Sequence, residues 1–210
     1  MLYRLKKADI GRASAVLADA FREDPAWSAI CTEAQDLDKS LRAIFEIPLR
    51  QALTYGEAHA VSAALEGIIA WIPGRHLHMG VPQLLRCGAL GAAARMGTAV
   101  AKKAEAAYRP VTEHREKYFE DLEFLYLLVL GVPNAHRGKG YGGTLVRAAI
   151  EESERQRLPL YVGAGSDDNV SMYEHFGFEV VSKIDLPLSG LSNWEMVRRP
   201  AEQQMPYNIG

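Results

Sequence analysis

Between Arg137 and Thr144 the chain reads RGKGYGGT, four glycines interleaved with two cations, a tyrosine and a threonine. Glycine lets the backbone approach a ligand closely, and bare N–H groups at a helix start, aided by the helix dipole, favour an anion. Arg137 and Lys139 add positive charge to the same stretch. The chemistry this run predicts is capture of a di- or triphosphate group.

Such a loop needs a strand before it and a helix after it. The apolar run Phe124 to Val132 has the length and side chains of a strand buried on both faces. From Thr144 to Arg157, apolar residues recur at helical spacing through Val146, Ala149 and Ile150. The glycines therefore fall at a strand-to-helix turn. Gly138, Gly140 and Gly143 also satisfy the G-x-G-x-x-G dinucleotide pattern, which alone is a weak signal. That pattern wants its first glycine almost at the strand end and an acidic residue about 20 positions on. Here Pro133 to Arg137 intervene, and the next strand, Leu158 to Gly163, ends without a carboxylate. A P-loop fails as well, because Pro133 stands where its first glycine belongs and neither Ser nor Thr follows Lys139.

A different signature, R/Q-x-x-G-x-G/A, is filled in register by Arg137, Gly140 and Gly142, and a second follows at the proper distance: Asn169, Tyr173, Gly177 and Phe178 as N-x-x-x-Y-x-x-x-G-F. On these two spaced motifs the chain resembles the GNAT family of N-acetyltransferases. The N-terminal half is similar to the puromycin-acetyltransferase-like branch, through Phe21, Asp24 and Pro25 (F-x-x-D-P) and Gly67, Trp71 and Pro73 (G-x-x-x-W-x-P). That branch often carries His-Trp-Tyr-Leu at the head of the strand before the loop. This chain has Phe124, Leu125, Tyr126 and Leu127 there, so a role for that histidine does not carry over.

The resemblance implies an α/β fold of the GNAT acyl-CoA N-acyltransferase type, a mixed central sheet flanked by helices. It also implies acetyl transfer from acetyl-CoA to a primary amine of a small molecule, by direct attack in a ternary complex. The cofactor site would comprise Leu130, Val132, Arg137, Gly138, Lys139, Gly140, Tyr141, Gly142, Gly143, Thr144, Asn169 and Tyr173. Within it, the Leu130 N–H would face the carbonyl oxygen as that gains charge. Tyr173 would protonate the departing thiolate, whose conjugate acid has a pKa of about 8.5. The acceptor is expected between Asp24, Trp27, Tyr126 and a helical insertion. Tyr126 stands eleven residues before Arg137, where some relatives carry a catalytic glutamate. Of the residues just upstream, Glu123 is the weak base candidate, and Glu120, Asp121 and His114 read as solvated. A non-catalytic CoA-binding sensor and a nicotinamide-dinucleotide oxidoreductase are the alternatives.

The rest of the chain sets bounds. With 210 residues, 48% of them hydrophobic, a full core can form without metal or disulfide, so residues 1–210 read as one domain. Two cysteines, Cys31 and Cys87, and the lack of a signal segment before Leu2 point to a cytoplasmic protein. No apolar run reaches the roughly 18 to 20 residues of a membrane span, and a net charge of −2 argues against nucleic acid. Oligomeric state is left open, with a homodimer among the options. Coarsely, a strand near Tyr3 to Lys6 leads to helices over Ile10 to Phe21 and Ser40 to Leu53, then strands over Ala58 to Leu65 and Gly67 to Ile72. Residues 75–119 read as an inserted helical hairpin over the sheet, with runs at Gln83 to Leu90 and Ala92 to Tyr108, serving as packing or as a substrate lid. No metal site is expected, since His76 and His78 lack further ligands nearby.

Overall fold

The fold is described from a computed structural model, for residues 2–120, 122–188 and 190–201. Seven strands form one sheet in the order β1-β2-β3-β4-β5-β7-β6: β1 (Tyr3–Arg4), β2 (Glu57–Ala60), β3 (Ile68–Pro73), β4 (Leu125–Gly131), β5 (Leu160–Ala164), β6 (Glu179–Asp185) and β7 (Ser192–Arg198). The β4–β5 contact is parallel and the others are antiparallel. A doubly wound dinucleotide fold needs a mostly parallel sheet, so the oxidoreductase alternative fails on topology.

Strand alternation sorts the core into two faces. Ile68, Ala70 and Ile72 pack with Ala13 and Leu17 of α1 (Ile10–Ala20) and with Leu41, Phe45 and Leu49 of α3 (Leu37–Tyr55). Ile69 and Trp71 face the other way, with Leu125, Leu127, Leu160 and Val162. There they meet Leu145, Val146 and Ala149 of α7 (Tyr141–Gln156) and Tyr173 of α8 (Asp167–His175). A short helix, α2 (Pro25–Ile30), starts on Asp24, whose carboxylate accepts the N–H groups of Ala26 and Trp27 at 3.0 Å each.

The insertion is three helices rather than a hairpin: α4 (Val81–Arg86), α5 (Leu90–Met96) and α6 (Thr98–Tyr118). Two left-handed glycines, Gly88 at φ 67° and Gly97 at φ 87°, break what the apolar spacing ran together. The α5 helix lies on α3, Tyr108 in the middle of α6 meets Trp27 of α2, and the C-terminal half of α6 reaches the sheet through His114 and Phe119. Strand β2 stops at Ala60, short of the expected Leu65, because residues 61–67 turn, with Leu65 itself at φ 65°.

Strand β4 is buried on alternate residues rather than on both faces, with Tyr126, Leu128 and Leu130 half-buried. A bulge shifts its register against β3, so that Trp71 faces Leu127 while Ala70 faces Val129. On its other side, β4 pairs with β5 at Leu125↔Leu160 and Tyr126↔Tyr161, and then the strands part. Leu128 and Leu130 stand beside the gap.

Candidate functional site

The phosphate loop is built as a cradle of backbone. Gly138 and Gly140 adopt φ 76° and 75°, the left-handed region that L side chains avoid, and a Cβ on either would meet nothing within 4 Å. Gly140 caps α7 without any side-chain bond, so the first-turn N–H groups of Tyr141, Gly142 and Gly143 have no side-chain cap. The Thr144 hydroxyl donates to the Gly140 carbonyl at 3.2 Å. Gly143 is small for a different reason: the Phe176 ring lies 3.1 Å from where its Cβ would sit. An anion at this helix start would therefore meet free amides and open space.

The two cations fasten the loop. Arg137 donates through Nε to the Val132 carbonyl and through Nη2 to the Ala20 carbonyl, both at 3.3 Å, tying the cradle to the end of α1. Lys139 Nζ donates to the Ala135 carbonyl at 3.3 Å. Both side chains are exposed, so their charge stays at the mouth.

The α8 helix lies against the start of α7, with the Met172 sulfur 3.9 Å from a Cβ position on Gly142. Ser166 caps α8, accepting the Asn169 N–H at 3.3 Å. Asn169 is exposed and Tyr173, one turn on along the same face, is buried. Burial, reinforced by the neighbouring Tyr126, pushes the Tyr173 phenol well above its ordinary value. The Tyr173 phenol therefore keeps its proton at neutral pH.

Further tyrosines extend from this point. Tyr108, brought in by α6, is raised in the same sense by burial and by the charges of Asp24 and Tyr126. Trp27 stands beside it with ring centroids 5.9 Å apart, and packs edge-on to Phe45 at 5.6 Å. The structure therefore gathers Asp24, Trp27 and Tyr126 around Tyr108. Asp24 doubles as the cap of α2.

Sequence reasoning missed the most buried polar group in this region. Glu195 on β7 has no exposed surface, and its chain neighbours Trp194, Met196 and Val197 are apolar. Its carboxylate accepts the Tyr161 hydroxyl of β5 on one oxygen and pairs with His114 Nδ1 of α6 on the other. Burial raises the Glu195 carboxyl above its usual value, while His114 and Arg115 oppose the rise. The Arg115 guanidinium lies 5.2 Å from the Tyr126 ring centroid, and the charges of both Arg115 and Glu195 bear on the Tyr126 hydroxyl. A second polar side chain of β7, Asn193, is buried with its Nδ2 unpartnered among the described residues. The one sequence signal was a carboxylate inside a strand-like run.

Other candidates lie elsewhere. Glu123 precedes β4, is exposed, and pairs with Arg75 at 3.1 Å. Glu120 is exposed, and Asp121 lies outside the described residues. His114, read as solvated, is instead tied to a fully buried carboxylate. His76 stacks on Tyr55 with centroids 4.4 Å apart, and among the described residues no three His, Cys, Asp or Glu side chains gather to hold a metal. Cys31 and Cys87 are buried and free.

Comparison with known proteins bears on this geometry. Residues 94–178 match the family model described as the Acetyltransferase (GNAT) family. An uncharacterized N-acetyltransferase of Schizosaccharomyces pombe is 27% identical over 182 residues, which cover 83% of this chain and 72% of that one. A mycothiol acetyltransferase of Corynebacterium efficiens is 37% identical over 71 residues, 32% of this chain but 23% of that protein. Among solved structures, one of histone acetyltransferase HPA2 and related acetyltransferase from Corynebacterium glutamicum superposes with a TM-score of 0.67 at 18% identity, covering 99% and 98% of the two chains. Arylalkylamine N-acetyltransferase 2 of Aedes aegypti gives 0.66 at 12% identity over 95% and 98%. The polyamine N-acetyltransferase of Drosophila melanogaster gives 0.60 at 13% over 95% and 99%. At these identities the structural likeness is one of fold.

Proposed function

We propose that this chain, whose residues 94–178 match the GNAT acetyltransferase family model and whose fold is that of solved acetyltransferases, transfers an acetyl group from acetyl-CoA to a primary amine of a small molecule, by direct attack in a ternary complex. One observation carries the reading: an uncapped helix start, fronted by two left-handed glycines, follows a strand that parts from its parallel neighbour, with a buried phenol nearby.

The residues divide the work. First-turn amides of Tyr141 to Gly143 receive the pyrophosphate, with Arg137 and Lys139 supplying charge at the mouth. Backbone groups at Leu130 and Val132, on the edge that β5 leaves, take the pantetheine arm, and the Leu130 N–H faces the thioester carbonyl. Tyr173 donates its proton to the thiolate and Asn169 contributes from the same helix face. The bound co-substrate supplies the activated acyl group. Trp27 and Tyr126 line the acceptor side, whose aromatic character suits a small amine such as those named for the arylalkylamine and polyamine acetyltransferases among the neighbours in fold. The F-x-x-D-P and G-x-x-x-W-x-P motifs support the puromycin-acetyltransferase-like branch. A cytoplasmic home accords with two free cysteines; among the described residues no helix is long and apolar enough to cross a membrane.

Two measurements test this together. Acetyl-CoA at 100 times its Kd should stabilise the fold by about 2.7 kcal/mol, raising the melting temperature, while NADH leaves it unchanged. Thiol release from acetyl-CoA should then appear across part of a panel of aryl-alkyl amines and polyamines. Stabilisation without transfer to any amine would leave a sensor, and no stabilisation would end the reading.

A further inference from the structure

Building on the acetyl-transfer reading above, we propose that His114, carried in by the inserted helix α6 and held by the buried carboxylate of Glu195, takes the proton from the acceptor's ammonium before the amine attacks. An ammonium has no lone pair, so the reaction needs such a group. Glu123, the candidate suggested by its place before β4, is turned to the surface and paired with Arg75.

The geometry is that of an oriented imidazole. A carboxylate with no exposed surface strongly disfavours charge unless partners compensate it. Glu195 has the Tyr161 hydroxyl on Oε1, His114 on Oε2, and the charge of Arg115 nearby. With Nδ1 facing the carboxylate, the neutral ring carries its hydrogen there and its lone pair on Nε2. Nε2 has no hydrogen-bond partner among the described residues, and about a third of the side chain is exposed (34%), so the ring can pass a proton to water. The remaining groups facing it are Tyr118 and Arg115 on its own helix, Tyr126 of β4, and Arg199 bonded to the Tyr118 hydroxyl. Tyr126 joins the two ends of the site, since its hydroxyl interacts with Glu195 and Arg115 and also with Tyr173.

The proton count closes. His114 Nε2 accepts a proton from the ammonium, giving a neutral amine. Nitrogen bonds to the acyl carbon, the C–S bond breaks, and the thiolate takes the Tyr173 proton. The proton shed by the new amide nitrogen restores the phenol, and His114 discharges to solvent. One proton is released per turnover. Glu195 acts through His114 and is a positioning residue.

The test uses the full chain, as wild type, His114→Gln and Glu195→Gln, with an amine from the panel above. At pH 7, His114→Gln should lower kcat about 10²-fold, the low end for a lost general base, with the Kd of acetyl-CoA unchanged by calorimetry. The deficit should close as pH rises toward the amine's own pKa, where solvent deprotonates the acceptor; a deficit constant with pH overturns the proposal. Nitrogen-15 NMR of the imidazole, on protein without substrate, should show the Nδ1–H tautomer in wild type and its loss in Glu195→Gln. An Nε2–H tautomer in wild type overturns the proposal even if no amine is ever acetylated, whereas wild type that acetylates nothing while showing the Nδ1–H form counts against the transferase reading alone.

Discussion

The cradle at the start of α7 and the polar cluster beneath α6 are built from different materials. The cradle is contiguous in sequence and works through main-chain amides, so its side chains matter mainly by being absent. The cluster assembles His114, Tyr126, Tyr161 and Glu195 from one helix and three strands, and works through side chains that compensate one another in a buried place. A backbone site is fixed by local conformation and tolerates drift everywhere but at its glycines. A side-chain site is fixed by packing and can be retuned by changing the helix that covers it.

Placing a side chain on the cradle tests the first half of that contrast. Gly140→Glu forces an L residue into the left-handed region, costing about 1–2 kcal/mol, and sets a carboxylate where the first-turn amides would bind phosphate. Binding of acetyl-CoA should weaken by about 10²-fold or more, two factors of ten at 1.4 kcal/mol each, as read by calorimetry on protein whose circular dichroism is unchanged. Undiminished affinity would mean the amides do not hold the ligand. At the junction of the two regions, Tyr173→Phe should lower kcat by about 10- to 10²-fold with Kd intact, near the bottom of the range for general acids because a thiolate leaves easily. Since burial and Tyr126 raise the phenol above its ordinary 10.0, it stays protonated through neutral and mildly alkaline pH. The wild-type rate should therefore show no alkaline loss due to Tyr173 below pH 10, and unchanged turnover in the variant would remove Tyr173 from the chemistry. A smaller effect is expected at the root of the cradle, where a Cβ on Gly131 would come 2.6 Å from Leu17 Cδ2 and 3.2 Å from the Phe21 ring. Overpacking of this kind costs about 1–3 kcal/mol. Gly131→Ala should lower the melting temperature by a few degrees, at about 2–4 °C per kcal/mol for this size; no change would show that α1 yields freely.

The same contrast explains what could be read from the residues. Backbone chemistry leaves a glycine pattern, so the order of strand, loop and helix is legible: the strand expected over Phe124 to Val132 runs Leu125–Gly131, the helix expected from Thr144 already begins at Tyr141, and Tyr173 and Asn169 fall on one helix face as expected. Ordinary periodicity placed α1 and α3. The insertion was misread because Ala-rich helical spacing continues through Gly88 and Gly97, whose left-handed φ values break it into three pieces. Glu195 was passed over because a carboxylate in a sequence is usually a solvated one, and nothing local shows that Tyr161, 34 residues earlier, will donate to it. His114 was misjudged with it. A pairing across 81 residues is a property of the packed molecule.

The two residue pairs that join β4 to β5 have a mechanical consequence. Load passing between the four-stranded and three-stranded parts of the sheet must cross a seam bridged by the backbone at Leu125–Leu160 and Tyr126–Tyr161. Around that seam Phe119, Phe124 and Tyr161 cluster, with the Phe119 and Phe124 rings stacked at 3.9 Å and the edge of Tyr161 against both. These rings hold the seam by packing, where the backbone of the two strands meets at two residue pairs.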